Sequence, residues 1–193
     1  AWKAQISPQA PNYFIINIPP DRLPSFKEFL QKNAVQSIEP YPVMLGRLMS
    51  VNQEPVKMQI DSRISNQRVF TRLLNLTWSD KLQADNTVVK GQWFSSEDGG
   101  KKLVSIEQGF ADRLNIHLGD KLEFQISEKK VFATVHNIRT VKWDSFHPNF
   151  YVIFPSGVLD NLSKTYMTSF HLSDNQLGLV RELVHHFPMV TVI

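Results

Sequence analysis

The two ends of the chain show the same order of hydrophobic patterns. Near the N-terminus, Tyr13–Ile18 is an almost continuous run of apolar β-formers, which predicts a strand buried on both faces. Apolar residues then recur at helical spacing from Asp21, a suitable helix cap, to about Lys32. Val35–Ile38 alternates and predicts another strand. The N-terminal segment is therefore predicted to form a β-α-β unit.

The C-terminal segment repeats this order. Tyr166–Leu172 predicts a strand, and Ser173 or Asp174 caps a helix with one apolar face. Pro188 ends that helix, and Met189–Ile193 predicts a last strand. Each unit has one helix to bury, and one shared sheet covers both helices most simply. We therefore predict a split ferredoxin-like sheet at the two ends of the chain.

The middle of the chain is rich in strand and turn patterns. Thr87–Val89 and Leu103–Ile106 flank the turn sequence Glu97–Gly100, in which glycine accepts a positive φ. A short helix follows from Glu107 to Asn115, and Asn115 suits the left-handed position at its end. These patterns favour a β-rich unit inserted between the terminal halves.

Three further strands complete this predicted insertion. Lys121–Ile126 alternates cleanly, and Val131–Val141 alternates with one slip, which indicates a β-bulge. Phe150–Phe154 is the last strand, whereas Pro55–Asn66 carries little pattern and predicts a long loop. The predicted class is α+β, with residues 1–50 and 160–193 forming one subdomain and residues 51–159 forming the inserted β-rich subdomain.

Composition excludes several classes of protein. With 193 residues, 42% hydrophobic and 20% charged, the chain is expected to be globular rather than disordered. It has no cysteine, which excludes disulfides, a thiolate nucleophile and cysteine-based metal sites. A net charge of +3 is too small to indicate nucleic acid, and the basic-aromatic cluster Arg139, Lys142 and Trp143 stands alone. No nucleic-acid partner is expected.

The sequence contains neither a membrane span nor a secretory signal. No run approaches the ~18 apolar residues that a membrane helix needs. Residues 1–11 lack a basic start and an apolar core, and no initiator Met is present. The chain is therefore expected to be a segment of a longer protein, with its targeting information outside this sequence.

Motifs for common catalytic and cofactor sites are absent from the sequence. It has no glycine-rich phosphate loop, no G-x-S-x-G and no H-E-x-x-H. His185 and His186 are adjacent, so they point in different directions on a helix and suit its C-terminal dipole better than a metal. Glu107 and Asp112 are expected on a solvated helix face. We predict no catalytic, cofactor-binding or metal-binding residue.

Two other functional classes remain open on the residues alone. One is an α+β hydrolase that would use His147 or His171 with Asp144 or Ser145. The other is a ligand-binding module for hydrophobic molecules, which would need an apolar groove of several hundred Å³.

One segment is too distinctive for composition to explain. Ile138–Leu159 resembles the R-x-V-x-W-x-S-x-x-P-N-F-(F/Y)-x-x-F segment of FtsX-like ABC transporter permeases, and of their YbbP-type group in particular. Pro11–Ile18 is similar to the P-N-x-F-x-I-N-I stretch of that group. Tyr41–Leu48 is similar to its Y-P-M-x-R-G-R-L stretch, although Leu45 stands where an arginine is usual. Asn75–Trp78 and the segment from Ser105 to Asp120 also fit, so the resemblance covers nearly the whole chain.

The resemblance implies an extracytoplasmic domain between two transmembrane helices that lie outside this sequence. In MacB-like relatives such a domain has an α+β "porter" part and an inserted β "sabre" part. The implied location is the bacterial inner membrane, with the domain facing the periplasm. The implied partners are a cytoplasmic ABC ATPase subunit, a second permease half or copy, and a periplasmic protein or lipid substrate. The domain would then not be an enzyme or bind a cofactor, but would couple ATP hydrolysis to movement outside the membrane.

The distinctive segment also supplies candidates for a contact surface or a rigid corner of the chain. The alternative is a purely structural role, in which Trp143 and Phe150 are core residues, Pro148 shapes a turn, and Arg139 satisfies buried carbonyls. The candidates are Arg139, Trp143, Ser145, Pro148, Asn149 and Phe150.

Overall fold

The computed structural model describes residues 9–56, 73–145 and 147–193, which form two compact units. The first unit contains the described residues up to Val43 together with those of Trp143–Asn149 and Ser163–Ile193, and the second contains those of Met44–Lys142 and Phe150–Leu162. From residue 57 onward, the predicted loop Pro55–Asn66 lies outside the residues that the structure describes. The fold is α+β, as predicted, and strands dominate it. The division into residues 1–50 with 160–193 and residues 51–159 stays a prediction.

The described residues form eleven strands and three α-helices. The helices are α1 (Leu23–Lys32), α2 (Gln108–Leu114) and α3 (Gly178–His186). The strands are β1 (Tyr13–Ile18), β2 (Tyr41–Val51), β3 (Glu54–Pro55), β4 (Leu74–Trp78), β5 (Asn86–Gly91), β6 (Leu103–Glu107), β7 (Lys121–Ile126), β8 (Lys129–Val141), β9 (Val152–Phe154), β10 (Thr165–Phe170) and β11 (Thr191–Val192).

The first unit is an antiparallel sheet with two helices packed into its core. The strand order is β11-β1-β10-β2, and β2 contributes Tyr41–Val43. Phe26 of α1 and Phe187 at the end of α3 meet edge to face, with their ring centroids 5.3 Å apart. The apolar residues at helical spacing thus form one core with the strands, through Ile15, Ile18, Phe26, Leu30, Phe170, Leu183 and Phe187.

Two predicted strands of this unit are wrong in extent. Within the predicted strand Val35–Ile38, only Ser37 makes an isolated bridge, to Phe170, and β2 begins at Tyr41. Pro40 lies between them and has no backbone N–H to give to a ladder. The last strand covers only Thr191–Val192, because the backbone N–H of Val190 turns back to the carbonyl of Phe187.

The second unit contains a closed six-stranded barrel, which the sequence did not predict. Its strands follow the ring β2-β4-β9-β6-β8-β7 and return to β2, with parallel pairs β4–β9 and β6–β8 and antiparallel pairs elsewhere. Closure pairs both edges of all six strands, so the ring offers no open edge for aggregation. One apolar cluster, which includes Met44, Leu76, Ile106, Phe124 and Phe154, is the core of this unit.

The long strand β8 organises the rest of the second unit. Its N-terminal half pairs with β7, its C-terminal half pairs with β5, and β6 runs beside its middle. The strands β5 and β6, which flank the turn Glu97–Gly100, therefore both pair with β8. Asn115 ends α2 with φ of 56°, which confirms its predicted left-handed conformation.

Candidate functional site

A register shift in β8 separates apolar from polar side chains. Val104 of β6 lies beside Val135 of β8, but the next residue, Ser105, lies beside Asn137. His136 is therefore an extra residue in β8 at this point, which confirms the predicted bulge.

The bulge changes which residues of β8 face the apolar core. Beyond it, Ile138 lies beside Ile106, and both belong to the core of the second unit. Successive side chains of a strand point to opposite faces. The neighbours of this pair therefore lie on the other face of β6 and β8, and they form a buried polar cluster of Ser105, Glu107, Asn137 and Arg139.

Arg139 is the centre of this polar cluster and is completely buried. Its Nε donates to Ser105 Oγ at 2.9 Å, and its Nη1 donates to Asn86 Oδ1 at 2.8 Å. Its Nη2 donates to the carbonyl oxygen of Phe150 at 2.5 Å. The planar guanidinium thus links β8 to β5, to β6 and to Phe150, which lies two residues before β9.

The acceptors of Arg139 are themselves fixed by further hydrogen bonds. Ser105 Oγ donates to Asn137 Oδ1 at 2.5 Å, and Asn137 Nδ2 donates to the carbonyl of Gln92 at 3.2 Å. Asn86 Nδ2 donates to Asp85 Oδ1 at 3.0 Å. The cluster is a connected network, and such networks stiffen a structure when their groups are satisfied.

Burial lowers the pKa of Arg139 to about 10, while the negative charges of Glu107 and Asp85 act in the opposite direction. All three groups that accept hydrogen bonds from Arg139 are neutral, so these two carboxylates act over a longer range. The guanidinium remains charged at neutral pH. Its chemistry here is that of a fixed hydrogen-bond donor, because it is closed off from solvent.

Glu107 is not on a solvated face, so that prediction is wrong. It is 7% exposed and caps α2, accepting from the backbone N–H of Gly109 at 2.9 Å and of Phe110 at 2.7 Å. The physical reason is that the first N–H groups of a helix need acceptors, and a carboxylate also suits the positive end of the helix dipole.

Sequence reasoning identified Arg139 but missed its partners. Ser105 lies between apolar residues of β6, Asn137 directly precedes the core residue Ile138 in β8, and Asn86 is the first residue of β5. A polar side chain in the middle of a buried strand needs a hydrogen-bonding partner, which is a signal that could have found Ser105 and Asn137.

The remaining candidate residues differ in exposure. Trp143 opens a 3-10 turn that runs to Ser145 and is 50% exposed, so the alternative that it is a core residue is wrong. Phe150 is 3% exposed, Pro148 is buried, and Asn149 is half-buried with its Nδ2 donating to the carbonyl of His147 at 3.2 Å. The side chain of Ser145 lies outside the described part of the structure.

Asp98 forms a second polar group near the bulge. It accepts from the backbone N–H of Ser95 at 2.7 Å and from Ser95 Oγ at 3.1 Å, and it lies 3.7 Å from His136 Nε2 and 3.5 Å from Lys101 Nζ. The hydrogen bonds from Ser95 lower the pKa of Asp98, and His136 and Lys101 lower it further. Ser95 donates to the carboxylate rather than to the imidazole, so this is not the geometry of an activated nucleophile.

The histidines do not form a recognisable catalytic centre. His171 Nδ1 lies 2.9 Å from the carbonyl of Ala10, His147 is exposed, and His185 and His186 occupy the last turn of α3. Within residues 9–56, 73–145 and 147–193, no group of three metal-ligating side chains could hold an ion. The helices in these ranges also include none that is long and apolar enough to cross a membrane.

An apolar crevice in the first unit is smaller than a typical ligand pocket. Its cavity volume is about 10 Å³, whereas pockets for small molecules start near 300 Å³. It lies between the two helices and the sheet, and is lined by Phe29, Leu30, Val35, Phe170, Leu172, Leu179, Val180 and Leu183.

Comparison with known proteins places these features in context. No protein-family profile matches the chain. A crystallised domain of a Porphyromonas gingivalis protein assigned as a permease is 11% identical, with a TM-score of 0.41 over 86% of this chain and 74% of that one. The uncharacterized ABC transporter permease YbbP of Escherichia coli (strain K12) is 35% identical over 192 residues. That match takes in 100% of this chain and 22% of the permease. The predicted resemblance is confirmed, because the chain is related along its whole length to a segment of a YbbP-type ABC transporter permease.

Proposed function

We propose that the chain is a non-catalytic extracytoplasmic domain of an ABC transporter permease subunit. The observation that carries this proposal is the 35% identity to YbbP over 192 residues, which span 22% of that permease. In the proposed assembly, an ATPase subunit hydrolyses ATP in the cytoplasm, and the permease exists as a pair of halves or copies. The domain faces the periplasm from the bacterial inner membrane, between membrane helices of the FtsX-like, MacB-like permease.

The architecture of the first unit supports a porter-like role. Its strand order β11-β1-β10-β2 places the strands of the two terminal β-α-β units alternately in one antiparallel sheet. Both helices contribute to one core with that sheet. This is the arrangement expected of a split ferredoxin-like fold. The second unit, with its closed barrel, would then be the sabre-like insertion.

The second unit is built to keep its shape rather than to perform chemistry. Its barrel is closed, and the buried Arg139 network ties β5, β6 and β8 together. Each unit has its own apolar core. A body with its own core can move as a unit, which suits a part that transmits movement driven by ATP.

The proposed substrate class is a lipid, a lipoprotein or another hydrophobic molecule. The candidate contact residue is Trp143, because a half-exposed indole offers a large apolar area to a hydrophobic molecule. Arg139, Pro148 and Phe150 are buried and are proposed as structural members of this motif rather than as contact residues. Ser145 and Asn149 complete the proposed contact segment.

Hydrogen exchange in the complete transporter tests the proposed coupling. The full-length permease is purified with its ATPase subunit and compared without nucleotide and with ATP trapped by a hydrolysis-deficient ATPase. We expect amide exchange in this domain to differ between the two states. An ATPase variant that cannot bind ATP is the control and should abolish the difference. Identical exchange in this domain, with changes confined to the membrane helices, would contradict the proposal.

Photo-crosslinking tests the proposed contact segment. A photoreactive phenylalanine analogue replaces Trp143 in the full-length permease, and in a matched variant it replaces Phe132, a 52% exposed aromatic residue on β8. We expect adducts with a lipid or with a component of the transporter from position 143 and none from position 132. Equal adduct yields at both positions would show that the segment has no special role in contact.

A further inference from the structure

Helix α3 is apolar over a wider face than its contact with the core uses. Leu183 and Phe187, the latter at the end of the helix, are buried in the core of the first unit. Leu177, at the N-cap of α3, and Val184 lie seven residues apart and therefore share one face of the helix. These two side chains are 46% and 42% exposed. They form a second apolar surface, which we call the α3 stripe.

The α3 stripe lies on the side of the helix away from α1. The ring of Phe29 in α1 packs against His186, with the ring centroids 5.6 Å apart. Arg22, just before α1, donates from Nη2 to the carbonyl oxygen of His186 at 3.3 Å. At about 100° per residue, Leu177 and Val184 lie roughly 160–180° around the helix axis from His186. The contact with α1 therefore leaves the α3 stripe uncovered.

A basic side chain borders the α3 stripe. Arg181 follows Leu177 by four residues and precedes Val184 by three, so it is a neighbour of both on the helix surface, and it is exposed. Glu182, the one carboxylate of α3, lies roughly 140° around the axis from Leu177. An apolar stripe that is bordered by a cation, with the carboxylate turned away, is typical of a helix at the surface of an anionic membrane.

Exposed apolar residues are concentrated toward the C-terminal end of the chain. The described residues include eleven large hydrophobic residues that are exposed, and four of them fall within the last seventeen positions. Besides the two residues of the α3 stripe, these are Met189 and Ile193. The proposed function places a membrane helix beyond Ile193. The concentration therefore lies in the part of the chain that is nearest in sequence to that membrane helix.

We propose that the α3 stripe docks on the surface of an anionic lipid bilayer. Leu177 and Val184 enter the headgroup region, and the guanidinium of Arg181 reaches the lipid phosphates. This inference rests on the proposed function, which supplies the membrane helices that hold the domain at the bilayer. Two apolar side chains give weak affinity by themselves, whereas a tether makes the contact effectively intramolecular. The test therefore uses the full-length permease.

Spin-label accessibility in nanodiscs tests the docking of α3. The chain has no cysteine, so Val184→Cys gives one labelling site here once any cysteines elsewhere in the permease are replaced. The labelled permease is reconstituted into nanodiscs that contain phosphatidylglycerol. Oxygen, which partitions into the bilayer, and a polar nickel chelate, which stays in water, are compared as relaxation agents. We expect oxygen to relax the label at position 184 more strongly than the nickel chelate does.

Glu182→Cys is the matched control, because it places the same label on an exposed position on another side of the same helix. The label at position 182 should be relaxed more strongly by the nickel chelate. Equal access of the nickel chelate to positions 182 and 184 would overturn the proposal. Exclusion of both agents from position 184 would also overturn it, because the stripe would then be covered by protein.

Lipid composition and Arg181 test the role of charge. The excess of oxygen relaxation at position 184 should fall in nanodiscs of phosphatidylcholine alone, and it should fall in Arg181→Gln but persist in Arg181→Lys. An unchanged excess in both the neutral nanodiscs and Arg181→Gln would contradict docking on an anionic surface. These outcomes are distinct from a failure of the proposed function, because the response of the domain to ATP in hydrogen exchange does not require α3 to touch lipid.

Discussion

Replacement of Arg139 by methionine tests the buried network most severely. The change keeps a long side chain of similar reach, so the cavity it creates is small. It removes every donor that Asn86, Ser105 and the carbonyl of Phe150 receive from this residue. It also removes a charge from a site that is closed to solvent.

Two opposing effects determine the size of the loss in stability. Each of the three acceptors loses a donor in a buried setting, at about 2 kcal/mol each, which gives roughly 6 kcal/mol. In the opposite direction, removal of the charge also removes the free-energy cost of keeping a charged group away from water. The lowering of the pKa of Arg139 from 12.5 to about 10 corresponds to roughly 3.5 kcal/mol at about 1.4 kcal/mol per pH unit. The loss of hydrogen bonds is the larger effect, so we expect Arg139→Met to lower the free energy of unfolding by about 2.5 kcal/mol.

Urea denaturation at pH 7, followed by tryptophan fluorescence, measures this loss. The control is Arg113→Met on the exposed face of α2, where the arginine donates only to the carbonyl of Gly109 at 3.2 Å. That change should alter stability by about 0.5 kcal/mol or less. A loss below about 1 kcal/mol for Arg139→Met would refute the reasoning, because the three hydrogen bonds would then contribute no net support.

Three further predictions concern turns and caps. Gly91→Ala should cost about 3 kcal/mol in urea unfolding, because φ is +74° and a Cβ would lie 2.3 Å from the carbonyl oxygen of His136. Gly119→Ala, with φ of +82° and open space, should cost about 1 kcal/mol, and equal losses would contradict the steric argument. Glu107→Ala should cost about 1–2 kcal/mol through the lost helix cap, measured in the same way, and no loss would refute the capping role. The pKa of Asp98 is lowered by folding, so its stabilisation is present above the unfolded pKa and is lost as pH falls through the folded value. The stability difference between the unaltered protein and Asp98→Asn should therefore shrink from pH 7 to pH 2.5, and a constant difference would contradict this sign.

Local features of the second unit were predictable from the sequence. The bulge at His136 appears as a slip in the alternation of β8, and Asn115 follows directly from the end of the apolar pattern of α2. Both leave a mark in the local pattern of apolar residues, although the bulge itself is a shift in the pairing of β8 with β6. The order of elements in the two terminal units was also readable, because each element carries its own periodicity.

Closure of the barrel was not predictable, because it depends on pairs that are far apart in sequence. Arg47 of β2 lies beside Gln125 of β7, and Leu76 of β4 lies beside Val152 of β9. No local pattern specifies such partners. For the same reason the sequence identified Arg139 but not its acceptors, which come from other strands and from the chain before β9.

The location of the domain is the central claim, and labelling of the full-length permease in spheroplasts tests it most directly. This chain has no cysteine, so Glu128→Cys, in the exposed turn between β7 and β8, places one thiol here once any cysteines elsewhere in the permease are replaced. A membrane-impermeant maleimide is added before or after lysis, and a cytoplasmic thiol in the same cells serves as the control. The account predicts full labelling at position 128 before lysis, while the cytoplasmic thiol reacts only afterwards. Labelling at position 128 only after lysis would contradict it.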